Sequence, residues 1–306
     1  MDVIVVGNVA LDIICYPVND VPRYDSLGFE RALVAPGGCG SNVAIGLAAL
    51  GVNVALVAVC GHDDSSQLML TTWKKWGIDL EYIKRLAVPS AAVSVGLLDS
   101  QLQPRFIHAT GANYLLTPGD LDIVKYAAEG AKILIVAGYF VLPGLLTPKL
   151  AEVLCEAQEA GLMTILDVVH SPKMSSPGVL WPVLPYLDIF LCNLQEAELM
   201  TGEGDPAAAS RILRSYGAKT VIIKLGNLGC WIANAEGDRT ISGVFVENVV
   251  DTTGAGDGFA AGMLKGLVQG NSIDEACVLG NQAGAKMVSA FGSITGWGEP
   301  HVSKIS

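Results

Sequence analysis

The strongest constraint on the fold is a repeated alternation. Short, continuously apolar, β-branched runs take turns with segments of helical pattern. Strand candidates are residues 3–6, 54–59, 133–136, 164–166, 189–191, 220–223 and 230–233, and residues 244–250 also read as strand-like. Runs without polar alternation suit strands covered on both faces, as in a parallel sheet. Helices between such strands imply right-handed crossovers and an α/β fold: a three-layer α/β/α sandwich around a mostly parallel central sheet. Thr147-Pro148 and Asp205-Pro206 each place a capping residue before a proline suited to the first helical position, and Ser272-Ile273-Asp274-Glu275 is a capping-box pattern. Two segments break the rhythm, about 13–34 and 91–108. They read as short strands without helices, with a hairpin of 93–97 and 105–108 around Ser100-Gln101-Leu102-Gln103. Together they predict a small β-sheet lid inserted into one domain spanning 1–306.

Hydrophobic residues make up 51% of the chain and charged residues 16%, which excludes a disordered chain. A net charge of −11 opposes nucleic acid and anionic membranes as general partners. It leaves room for a phosphate-bearing ligand, because a local nest of amides binds anions whatever the net charge. The seven cysteines form no C-x-x-C pair and are odd in number, which argues for reduced thiols and a cytoplasmic setting. No signal peptide is visible at the N-terminus. The mean hydropathy of +0.46 raises the question of a membrane span. The longest apolar stretch, 43–59, is interrupted by Gly51-Val52-Asn53 and reads as helix, turn and strand.

The chemically most informative stretch is Asp251-Thr252-Thr253-Gly254-Ala255-Gly256-Asp257-Gly258-Phe259, leading into small and apolar residues that continue as a helix. First-turn amides of a helix lack internal partners and carry the positive end of the dipole. Glycines let an oxyanion approach them. The product is an anion hole suited to phosphoryl transfer. An aspartate inside an anion site makes sense as a proton acceptor, so Asp257 is the candidate general base. The competing reading makes Asp257 a dipole-stabilised helix residue and the glycines packing devices. No P-loop pattern exists, and a dinucleotide fingerprint would need glycine where Phe259 stands.

At this motif the chain resembles the ribokinase-like, or PfkB, family of carbohydrate kinases. The family's C-terminal signature, D-T-x-G-A-G-D-x-F-x-x-G, matches Asp251 through Gly262. Its N-terminal signature matches Pro36-Gly37-Gly38-Cys39-Gly40-Ser41-Asn42-Val43-Ala44, and Gly111-Ala112-Asn113 further resembles the ribokinase branch. The resemblance implies an ATP-dependent kinase with Asp257 as base, Gly254, Ala255 and Gly256 as the anion hole, and Asp12, Gly37, Gly38 and Asn42 on the acceptor. It implies Asn193 and Glu196 near the phosphates, with Mg2+ reached from Glu196 largely through water. It places Lys224, Gly226, Gly229 and Asn281 at the nucleotide, with Ser289 a weaker candidate. It further implies a K+ site at Asp251, Thr253 and Ser293, with Gly292 adjoining.

Other readings stand beside these roles. Asp12 and Asn42 are also natural capping residues, Asn193 and Glu196 form a near capping box, and Lys224 could be a solvated surface lysine. Arg105 and His108 match no motif. The expected reaction phosphorylates a hydroxyl of a small sugar, as in ribokinase or fructokinase. Alternatives are a nucleoside, sugar-acid (2-keto-3-deoxygluconate) or sugar-phosphate kinase, or a non-catalytic sugar-binding protein on the same scaffold. A phosphorylated acceptor would call on Arg23, Arg31 or Arg105. A homodimer through the lid is a further expectation.

Overall fold

The structure is a computed structural model that describes residues 1–102 and 104–300. Its strands are β1 (Val3–Gly7), β2 (Ala10–Tyr16), β3 (Arg31–Gly37), β4 (Val54–Cys60), β5 (Ile83–Arg85), β6 (Ala92–Leu98), β7 (Pro104–Ala109), β8 (Ile133–Ala137), β9 (Met163–Asp167), β10 (Ile189–Asn193), β11 (Thr220–Lys224), β12 (Gly229–Asn234) and β13 (Gly237–Ser242). The helices are α1 (Cys39–Ala49), α2 (Asp64–Lys75), α3 (Ile123–Ala128), α4 (Lys149–Glu159), α5 (Leu194–Thr201), α6 (Pro206–Ser215), α7 (Ala255–Val268) and α8 (Ile273–Met287).

A nine-stranded sheet runs in the order β13-β12-β11-β10-β9-β8-β1-β4-β5. All neighbours from β11 to β5 pair in parallel, and β12 and β13 close one edge as an antiparallel hairpin. Period-2 alternation divides the core between the two faces. Val3 and Val5 of β1 pack with α1, α7 and α8 residues such as Val43, Phe259 and Cys277. Ile4 and Val6 pack on the other side with residues of α3, α4, α5 and α6, such as Tyr126, Leu154, Ala197 and Leu213. Strands buried on both faces cannot show polar alternation, which is why their runs read as continuously apolar. Among the described residues no helix is long and apolar enough to cross a membrane, and all seven cysteines are free.

The small sheet forms separately, in the order β3-β2-β6-β7. Its outer pairs are antiparallel, and the central β2–β6 pair is parallel. The hairpin expected from 93–97 and 105–108 is β6 and β7; Gln103 of its turn and residues 301–306 lie outside the described residues. The Asp205 cap and the Ser272–Glu275 capping box form as the sequence suggests.

Two sequence expectations fail. Thr147 does not cap α4: the cap position falls on Pro148, one residue later than expected, and Thr147 Oγ1 finds no partner among the described residues. Residues 244–250 are not a strand: β13 ends at Ser242, and the chain continues irregularly to the α7 turn. No partner strand lies beyond β13 among the described residues, so the apolar side chains form a cavity wall instead.

Candidate active site

The sheet order reverses at β1. From there the chain steps outward to β4 and β5, then returns to β8 on the other side and proceeds through β9, β10 and β11. Such a switch point leaves a crevice at the carboxyl ends of the strands. The residues at those ends are Asn8 after β1, Gly138 after β8, Asp167 on β9, Asn193 on β10 and Lys224 on β11. The N-terminal turns of α1 and α7 meet this edge.

Gly254 caps α7 with φ +77°, a left-handed conformation that side chains disfavour. A Cβ there would also lie 2.6 Å from the Ser293 carbonyl oxygen. The Ala255 amide closes the turn by donating to Thr252 O at 3.2 Å, and the Gly258 amide donates to Gly254 O at 2.8 Å. The amides left without a protein acceptor, among the described residues, are therefore those of Gly254, Gly256 and Asp257, whereas the sequence suggested that Ala255 would contribute. Asp251, nearly fully buried, holds the turn from below. One carboxylate oxygen accepts from Thr253 N and the other from Gly292 N, each at 2.9 Å.

Asp257 projects from the first turn of α7. Asn42 Nδ2 donates to its Oδ2 at 2.7 Å, joining the two signature motifs across the crevice. The Cys39 thiol lies beside the same carboxylate and eases its rise. Burial pushes the Asp257 carboxyl up to about 6, a rise opposed by the Asn42 bond and by Lys224 and reinforced by Asp167. Asn42 does not cap α1; that position belongs to Gly38.

On one side of the Gly254–Asp257 turn lies a cavity of about 630 Å3, walled by the inner face of the small sheet. Asp12, Asn8, Gly38, Asn42, Gly254 and Asp257 contribute to it. Asp12 lies mid-strand in β2 and caps nothing. It is buried and pushed up to about 7 by burial and by the charge of Asp257, a rise eased by the neighbouring Ser94 and Ser293. Asn8 Oδ1 and Asn42 Oδ1 are buried without a hydrogen-bond partner. Buried polar atoms of this kind call for a ligand or water. Gly37 is not on the wall. A Cβ there would stand 1.9 Å from Asp12 Oδ2, so this glycine makes room for the carboxylate.

On the other side lies a cavity of about 500 Å3 bounded by Ala255, Gly256, Lys224, Gly226, Gly229 and Asn281. The misread segment supplies Val244, Phe245, Val246 and Val249 as an apolar wall. Asn281 is pinned by donating Nδ2 to Ser242 O at 3.0 Å, and Ser289, bonded to its own helix, is not on the wall. Lys224 is no solvated surface lysine: it is largely buried and paired with Asp167 at 2.8 Å. Burial works against its charge, but Asp167 and Glu196 outweigh burial and hold its ammonium above the usual lysine range.

Asn193 and Glu196 do form the reciprocal capping box of α5. Glu196 N donates to Asn193 Oδ1 at 2.8 Å, and Asn193 N donates to Glu196 Oε2 at 2.7 Å. The cap fixes Glu196 where burial pushes it up to about 7, against Lys224 and with Asp167. Asp167, Glu196 and Asp257 thus all face the Lys224 ammonium. That excess of carboxylate suits a divalent cation. Among the described residues no three His, Cys, Asp or Glu side chains converge to ligate one directly, so Mg2+ would be reached through water and phosphate. Asp251 is a buried carboxylate without a paired Lys, Arg or His among the described residues, and each oxygen keeps a free lone pair beyond its one amide. It can serve a monovalent cation. Ser293, also buried, adjoins Asp12 as well.

Sequence reasoning missed Asn8, Cys39, Asp167 and His108, which stands on the wall of the cavity beneath the small sheet. Asn8 carried a signal, a polar residue immediately after the first apolar strand. Asp167 ends an apolar run in the same way.

The chain belongs to the pfkB family of carbohydrate kinases, whose sequence model matches residues 1–300. It is an ATP-dependent phosphotransferase. Ribokinase of Haemophilus influenzae is 28% identical, with 94% of this chain and 92% of that protein covered. The 2-dehydro-3-deoxygluconokinase of Bacillus subtilis is 29% identical, with coverage of 85% and 82%. The crystal structure of ribokinase from Thermotoga maritima superposes with a TM-score of 0.82 at 25% identity, covering 97% of this chain and 95% of that one.

Proposed function

We propose that the protein transfers the γ-phosphoryl group of ATP to a hydroxyl of a small sugar across the turn at residues 254–257. The observation that carries this reading is that two cavities meet at one turn. Ala255 and Gly256 border the first, Gly254 and Asp257 the second. ATP lies in the first, its base against the wall of 244–249 and beside Asn281, its phosphates toward Lys224. The acceptor lies in the second, held by Asp12, Gly38, Asn42 and the missed Asn8. Its hydroxyl oxygen attacks the γ-phosphorus as its proton passes to Asp257. The bond to the β,γ-bridging oxygen breaks, and ADP leaves with the electron pair. The free amides of Gly256 and Asp257 stabilise the charge on the transferred group. The small sheet excludes water. When bound, Mg2+ neutralises phosphate charge.

Asp257→Asn is expected to lower kcat by roughly 10²–10⁴-fold, the usual worth of a general base, with ATP affinity nearly unchanged. Turnover near the wild-type rate would refute the assignment. A K+ ion at Asp251 and the Thr253 carbonyl reinforces the amide nest in this reading, and unchanged activity in K+-free buffer would remove it. A cytoplasmic setting matches the use of ATP and the free thiols. Dimerisation through the small sheet draws on exposed Val34 and Ile107, and light scattering decides it.

A further inference from the structure

We infer that the acceptor is an uncharged polyol, and that the site rejects sugar phosphates and sugar acids through its own charge. This rests on the phosphotransfer reading above and narrows it to one class of substrate. The acceptor cavity contains the carboxylates of Asp12 and Asp257, and no lysine or arginine lines it among the described residues. The arginines that could have served an anionic acceptor are engaged elsewhere. Arg105 donates to Val18 O at 2.6 Å and Asn19 O at 3.2 Å. The Arg31 guanidinium lies over the rings of Tyr16 and Phe291, at 5.1 and 4.3 Å from their centroids. Arg23 lies over Tyr24 at 5.0 Å. Lys224 borders the other cavity and is paired with Asp167.

The groups on the wall point the same way. The ionised carboxylates of Asp12 and Asp257 only accept hydrogen bonds. A hydroxyl can donate to each of them. A phosphate or carboxylate oxygen cannot, and it would bring a like charge beside Asp12 in a desolvated pocket. The remaining basic groups on the wall are His108 and His170.

The test uses the full chain with MgATP at about pH 8. ADP release is followed with D-ribose, 2-deoxy-D-ribose, D-fructose and adenosine against 2-dehydro-3-deoxygluconate and fructose 6-phosphate. The best neutral acceptor is expected to exceed both anions in kcat/KM by about tenfold or more, because an anion brings a like charge beside Asp12 and Asp257. An anionic acceptor closer than that, with turnover still lost in Asp257→Asn, overturns the inference and leaves phosphotransfer standing. No acceptor-dependent ADP release from either set overturns both.

Discussion

As the proposed base, Asp257 carries the heaviest demand of any residue, because that role needs it ionised in a pocket that disfavours charge. Burial raises its carboxyl to about 6. A base works only when deprotonated, so kcat/KM should climb as pH rises through about 6. Donors to a carboxylate favour its ionised form, so removing one raises its pKa. Asn42→Ala is therefore expected to move the acid limb to higher pH by about one unit. Cys39→Ala should move it the same way by less, and Cys39→Ser, which keeps a donor, should restore it. A limb that stays in place in Cys39→Ala would show that the thiol only fills space. Asp257 was legible in the sequence because its motif is local. The Asn42 bond spans 215 residues and the Lys224–Asp167 bond 57, and no local pattern encodes either.

At the scale of elements, the placement of α7 decides whether its amides face both cavities. Gly258, Gly262 and Gly266 form a smooth stripe one helical turn apart that lies directly on α8. A Cβ at Gly262 would stand 2.4 Å from the Leu279 carbonyl oxygen. Gly262→Ala must therefore push the helices apart, at a cost of about 1–3 kcal/mol. It should lower Tm by several degrees and kcat with it, although it lies about one and a half turns from Asp257. Full activity at a lowered Tm would show that α7 tolerates displacement. The competing sequence reading of these glycines as packing devices thus holds for 258, 262 and 266, while Gly254 serves the turn. Segment 244–250 was misread at this scale because β-branched residues suit a strand and a ligand wall alike. Only the absence of a neighbour beyond β13 distinguishes them.

Across the whole molecule, the site is maintained against stability. Asp12 is buried, with its carboxyl raised from 3.8 to about 7. Between those values the folded chain binds more protons than the unfolded one, so stability falls as pH rises through the window and the penalty is complete above it. Asp12→Asn is expected to stabilise the ligand-free protein by about 1–3 kcal/mol at pH 8 and by nearly nothing below pH 4, while losing acceptor affinity. Lower stability of that variant at pH 8, by denaturant titration, would contradict the penalty. The layered architecture and both signature motifs were legible because period and local motif encode them. The division into two cavities was not, since it depends on how β1, α1 and α7 meet in space. The decisive measurement is a crystal structure of Asp257→Asn with ATP, Mg2+ and a neutral acceptor. The γ-phosphate should rest on the Gly256 and Asp257 amides, with the acceptor hydroxyl in hydrogen-bond reach of residue 257. A triphosphate directed away from that turn, or an acceptor bound outside the cavity beneath the small sheet, would contradict it.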